Sequence, residues 1–164
     1  MSVKAGLPPI ARADARLFVL GSLPGDASLA ARRYYAHPTN QFWRLLGEIV
    51  GRPLAALPYE DRLAALREAR VGLWDVIRTA ERRTSSDSDI READPHDLAA
   101  LVATLPGLRI VAFNGGKAAA IGRRQLTAPG HVALVDLPSS SAANTVSYPT
   151  KLTAWQTLRG ALTD

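Results

Sequence analysis

The chain has 164 residues, 47% hydrophobic and 6% aromatic, with a formal charge of +5 and no cysteine. That length suits one domain with a sizeable core, and the missing cysteines exclude disulfides, thiolate zinc sites, cysteine-ligated clusters and cysteine nucleophiles. The first 16 residues lack the apolar core of a signal peptide, and no run reaches the roughly 20 apolar residues of a membrane span, so a soluble cytoplasmic protein is expected.

Residues 1–16 read as an N-terminal extension of a single domain spanning 1–164. The first strand is "LFVLG", Leu17–Gly21, followed by the turn "GSLPG" and an aromatic stretch, "YYAHPTNQFW", Tyr34–Trp43. Helical patterns cover Asn40–Val50 and Tyr59–Glu68 before a second strand, Val71–Val76. The polar segment Arg82–Ile90 is either a mobile loop or part of a site. A helix over Pro95–Thr104, a strand over Arg109–Asn114, a helix over Gly116–Gln125 and a strand over His131–Leu137 follow, and a helix over Lys151–Leu162 closes the chain. Each strand is nearly continuous in apolar residues, as in a parallel sheet covered on both faces. The predicted fold is α/β, a three-layer α/β/α sandwich around a central, mainly parallel four-stranded sheet.

In such sheets ligands bind beyond the carboxyl ends of the strands. What leaves those ends is rich in Gly, Ser, Asn and charge: "GSLPG", Asp75, "NGGKAA" and "PSSSAAN". Glycines let backbone amides approach a ligand, and serines beside a helix start suit phosphates, although either loop can be an ordinary turn. Lys117 at a helix N-terminus is a phosphate clamp in principle. Tyr34, Tyr35 and Phe42 offer rings for stacking on a base, whereas Trp43 reads as core. His37 is a proton donor, a phosphate contact or simply exposed; Asn40 is a functional amide or a helix cap. The three histidines lack metal-ligand spacing, so no metal is expected. Of the 20 basic residues 17 are arginine, and Leu98–Val135 holds Arg109, Lys117, Arg123 and Arg124 with no acid, which predicts one basic side.

Taken in order, the G-x-x-P-G turn, "HPTNQFW", "GLWDV", "FNGGKAA" and "LPSSSAAN" resemble the uracil-DNA glycosylase superfamily. Over about Leu17 to Trp155 they are most similar to its hypoxanthine-DNA (deoxyinosine) glycosylase branch. The first turn has Ser22 and Leu23 where other branches carry Asp or Asn, and the last motif begins with Leu137 rather than His or Asn. The resemblance therefore assigns catalysis to Asn40, which would orient water by accepting a hydrogen bond. It implies base contacts from Gly21, Ser22, Leu23, Tyr35, Phe42, Asp75 and Asn114. DNA contacts are implied for His37, Lys117, Leu137, Pro138, Ser139, Ser140 and Ser141.

The implied activity is monofunctional base excision from damaged DNA by a monomer, without cofactor, with hypoxanthine the expected base. A uracil or mismatched-thymine glycosylase of a neighbouring branch is one alternative. A non-catalytic nucleic-acid-binding domain of the same fold, with Asn40 only a cap and Asp75 only a helix end, is another.

Overall fold

A computed structural model describes residues 3–127 and 130–163. In chain order it contains β1 (Val3–Ala5), β2 (Leu17–Gly21), α1 (Asp26–Ala31), α2 (Phe42–Val50), α3 (Tyr59–Glu68), β3 (Val71–Asp75), β4 (Ile77–Glu81) and β5 (Arg91–Pro95). There follow α4 (Leu98–Ala103), β6 (Ile110–Asn114), α5 (Gly116–Gln125), β7 (Ala133–Leu137) and α6 (Tyr148–Trp155). Residues 1, 2 and 164, the ends of the predicted domain, lie outside the described residues.

The central sheet has four parallel strands in the order β3-β2-β6-β7. Alternate residues of β2 feed two cores. Leu17 and Val19 pack with Leu45, Leu46, Leu66 and Trp155, while Phe18 and Leu20 pack with Leu98, Phe113 and Ala118 on the other face. Burial on both faces is why β2, β3 and β6 read as nearly continuous apolar runs, whereas the edge strand β7 is buried only at Leu137. The predicted sandwich and its four strands are present, each strand within two residues of its expected ends.

A second sheet, antiparallel in the order β1-β4-β5, has no counterpart in the sequence reading. Its strands are three to five residues long; β5 is mostly exposed and its pairing with β4 shifts register twice, so it carries no clean alternation. The extension thus contributes β1, and Ile10 bridges to Leu73. Pro95, expected at a helix start, ends β5 instead; α4 begins after Asp97, whose Oδ1 accepts from the Ala100 N–H at 3.0 Å. The last helix starts three residues before the predicted Lys151, after Ser147, whose Oγ accepts from the Thr150 N–H at 3.4 Å. Among the described residues no helix is long and apolar enough to cross a membrane.

Candidate active site

Strand β2 lies between β3 and β6, so the chain switches sides of β2 at the carboxyl edge of the sheet, the position where such sheets open a crevice. Register places Gly21 opposite Asp75 and Asn114 opposite Leu137, which brings all four strand ends to one level. A cavity of about 610 Å³ opens there. Gly21, Ser22, Leu23, Tyr35, His37, Asn40, Asp75, Asn114, Ser139, Ser140 and Ser141 all line it.

Asn40 sits just ahead of α2. Its Oδ1 accepts from the Phe42 N–H at 2.9 Å and from Ser140 Oγ at 2.8 Å. A backbone N–H can only donate, so the amide orientation follows from the Phe42 contact. Both lone pairs of that oxygen are thereby engaged, and Asn40 is left with its two Nδ2 protons. The sequence reading has Asn40 accept from water; in the structure its free valence is a donor. Ser140 is wholly buried and joined to Asn114 twice, through Asn114 Nδ2 to Ser140 Oγ at 2.9 Å and the Ser140 N–H to Asn114 Oδ1 at 2.9 Å. Three segments distant in sequence thus lock one amide.

A further part of the lining is acidic and aromatic. Asp75 is 3% exposed, and its Oδ2 has no hydrogen-bond partner among the described residues. Burial first, then the neighbouring Asp87 charge, push its carboxyl up to about 7, against a lowering pull from Arg82. Tyr35 lies stacked on Phe42, with ring centroids 3.8 Å apart, and its hydroxyl accepts from Asn114 Nδ2 at 3.2 Å. Burial, then the Asp75 charge, raise this phenol well above its ordinary range, so it stays neutral. Tyr35 adopts φ 53°, a left-handed conformation uncommon for a bulky residue. Both neighbours hold it there: the Tyr34 N–H donates to Tyr59 Oη at 3.0 Å and the Ala36 N–H to Ser28 Oγ at 3.0 Å.

Gly21 is required by close approach. A Cβ at that position would lie 2.5 Å from Asp75 Oδ1 and 2.7 Å from Tyr35 Oη. Gly21→Ala is therefore expected to displace both side chains and lower stability by about 1–3 kcal/mol, which a thermal melt checks. Gly115 is a second such position, with φ 98° and a Cβ site 3.3 Å from Ser139 Cβ.

The segment 82–90 closes the cavity from above. Ser22 Oγ donates to Asp87 Oδ1 at 2.6 Å, and the Asp26 N–H donates to Ser85 Oγ at 3.0 Å. Arg82 is fully buried and donates to the carbonyls of Leu23 and Pro24, which fixes the "GSLPG" turn. The sequence reading takes this segment as either a mobile loop or part of a site and singles out neither Asp87 nor Arg82; nothing in the sequence marks Arg82 as buried.

Phe42, Leu137, Pro138 and Lys117, also expected at the site, lie apart from the cavity wall. Phe42 is fully buried beneath Tyr35, Leu137 belongs to the core, and the Pro138 carbonyl accepts from Trp155 Nε1 at 3.1 Å. Lys117 is exposed on the first turn of α5. His37 is exposed at the rim, its Nδ1 accepting from the Thr39 N–H at 3.2 Å, which puts the ring proton on Nε2 in the neutral form. The acid-free stretch does not form one free basic face. Arg109 precedes β6, at the edge opposite the cavity, and donates to the carbonyls of Ala161 and Thr163, while Arg123 pairs with Asp136 at 2.9 Å.

A larger cavity, about 710 Å³, lies between β1 and α1, where its only acid, Asp26, is paired to Lys4 at 3.3 Å. It gathers no comparable set of polar groups. Among the described residues no three His, Asp or Glu side chains are grouped to hold a metal.

The fold and this edge define an α/β domain whose switch-point cavity combines a locked amide, an unpaired buried carboxyl and a stacked ring pair. The family model described as the uracil DNA glycosylase superfamily matches residues 8–159, and the chain belongs to that superfamily. It is similar to a protein named hypoxanthine DNA glycosylase from Methanosarcina barkeri (strain Fusaro / DSM 804), 38% identical, covering 93% of this chain and 95% of that one. A protein of the same name from Methanosarcina acetivorans is 37% identical, covering 94% and 96%. A solution NMR structure from Methanosarcina acetivorans, described as a candidate uracil DNA glycosylase, superposes with a TM-score of 0.86 at 36% identity, covering 98% of this chain and 99% of that one.

Proposed function

We propose that this chain is a monofunctional DNA glycosylase that removes hypoxanthine from deoxyinosine in DNA, working as a cytoplasmic monomer of one domain without metal or cofactor. The observation that carries the reading is one cavity in which Asp75 faces the locked amide of Asn40. The two hypoxanthine DNA glycosylases it resembles supply the base.

The nucleotide is turned out of the duplex into the cavity, since the bond to be broken is unreachable in a stacked pair. As a carboxylate, Asp75 accepts from the N1–H of hypoxanthine. Adenine carries a lone pair at N1, which that carboxylate repels, so the undamaged base is refused. Tyr35, backed by the buried Phe42, gives a ring surface for the base. The C1′–N9 bond breaks with its electron pair leaving on N9, and the sugar becomes oxocarbenium-like. Water, held through its oxygen by Asn40 Nδ2–H, adds to C1′; the proton it loses balances the one taken up by the leaving base. Hypoxanthine and an abasic sugar remain. His37, Lys117, Ser139 and Ser141 attend the phosphates around the extruded nucleotide, whereas Ser140, buried with its hydroxyl and N–H both donating inside the protein, is kept for Asn40.

The direct test is strand scission by hot alkali on duplexes carrying one deoxyinosine, one deoxyuridine or one mismatched thymidine. Scission at inosine is expected. Scission at uracil alone would transfer the protein to another substrate, because uracil also presents an imide N–H to Asp75. No scission on any duplex would leave only the binding reading.

A further inference from the structure

Lys151 is one of only three lysines in the chain and, at 1% exposed, is buried. It lies in the first turn of α6, seven residues past Asn144, where the last quoted motif ends. Among the described residues its ammonium has no acid partner. Instead Nζ donates to Gln41 Oε1 at 3.0 Å, to the Ser141 carbonyl at 3.1 Å and to the Asn144 carbonyl at 3.0 Å. Three oxygens around a three-donor ammonium satisfy it completely; a planar guanidinium has the wrong shape for this nest, which accounts for a lysine in an arginine-rich chain.

What those oxygens belong to matters. Gln41 is the neighbour of Asn40, and its N–H also donates to the Ser140 carbonyl at 2.9 Å. Ser141 follows Ser140, whose hydroxyl holds Asn40 Oδ1. Lys151 therefore cross-links the residue after Asn40 to the residue after Ser140, from behind the cavity. A burial of this kind is unfavourable for a cation, and burial does lower the pKa of Lys151. It persists because three charge-assisted bonds offset it.

We propose that Lys151 is a positioning residue for base release: it clamps the serine loop onto the start of α2, so that Ser140 keeps Asn40 Nδ2 aimed into the cavity. It touches neither substrate nor reacting atoms. The inference rests on the glycosylase reading for its kinetic consequence, but the clamp itself is independent of it.

Lys151→Met keeps the stem and removes the donors. In single-turnover cleavage of an inosine duplex, its rate at saturating enzyme is expected to fall about 100-fold, as for a reacting group misplaced by about 1 Å, with half-saturation changed less than about threefold. A lysine acting through Asn40 adds nothing once Asn40 is gone, so Asn40→Ala with Lys151→Met should be no slower than Asn40→Ala alone. Full rate in folded Lys151→Met, or rate losses that multiply in the double variant, would overturn the proposal. If Lys151→Met does not fold, Gln41→Leu removes one acceptor with the lysine in place, and full rate there overturns it equally. Should the wild type release no base at all, the glycosylase reading falls, and the clamp is judged by amide exchange in folded Lys151→Met. Faster exchange of the Gln41 N–H sustains it, and unchanged protection ends it.

Discussion

Asn40→Ala is expected to slow release of hypoxanthine by about 100- to 1,000-fold, the range seen when a preorganised polar contact to a reacting centre is removed. The fold should survive. The truncation leaves the Phe42 N–H and the Ser140 hydroxyl without their acceptor, a loss of about 1–3 kcal/mol that a thermal melt can register. A cap-only role for Asn40 predicts the same melt with cleavage intact, so the two measurements together decide between enzyme and binder. Asn40→Asp is the sharper variant. Its carboxylate still accepts from Phe42 and Ser140 but has no proton to donate, so cleavage should stay low in a protein of nearly native stability. Wild-type rates in Asn40→Asp would show that an acceptor suffices, and the donor role drawn from the filled Oδ1 would be wrong.

The second large effect belongs to Asp75, and it concerns stability and pH together. In the folded chain its carboxyl is raised from an ordinary 3.8 to about 7, chiefly by burial and next by Asp87. The folded state therefore holds this proton more tightly than the unfolded chain does. The contribution of Asp75 to stability is fully present below about pH 4, declines as pH rises towards 7, and is absent above that. A shift of that size corresponds to something on the order of 4 kcal/mol at its upper bound. Asp75→Asn, which cannot ionise, is expected to raise the melting temperature at pH 8 and to flatten the decline between pH 4 and 7.

Activity moves in the opposite sense. If the carboxylate form reads N1–H, kcat/KM of the wild type rises with pH and levels off above about 7. The amide oxygen of Asn accepts at any pH, so Asp75→Asn should lose this limb, whereas Asp75→Ala should lose most cleavage throughout. A wild-type profile flat from pH 5 to 8 would contradict a titrating Asp75 in base reading. A site that keeps an unpaired carboxyl at a stability penalty exchanges stability for recognition, a common arrangement where a polar group must meet a ligand.

Why the locked amide was only half legible in the chain is a matter of contact order. Ser140 lies 100 residues from Asn40, and Asn114 lies 26 from Ser140. No local pattern couples them. Composition could mark each loop as polar and suitable for a site, and the motif order could mark Asn40, but neither could tell which end of the amide was free. That is decided by the Phe42 N–H and the Ser140 hydroxyl, which meet Asn40 only after β6 and β7 have brought their loops together. The same holds for Phe42. As an aromatic beside Asn40 it read as a stacking surface; packing put it under Tyr35, so Tyr35 presents the outer ring and Phe42 backs it.

The determinations made by sequence alone are those with a local physical cause. Unbroken apolar runs of five or six residues require a sheet covered on both faces, 3.6-residue periodicity sets the helices over Tyr59–Glu68 and Gly116–Gln125, and glycine and serine at strand exits mark the working edge. Tertiary structure alone decided the rest. The short charged strands β1, β4 and β5 exist only because they pair with one another. Arg82 is buried only because carbonyl oxygens of the distant Leu23–Pro24 turn meet its charge, and Lys151 because Gln41, 110 residues away, joins the nearby Ser141 and Asn144 carbonyls around its own. Asp75 gains its high pKa only where folding removes water and brings Asp87 near, since burial and through-space charge have no signature in a residue's own neighbours along the chain.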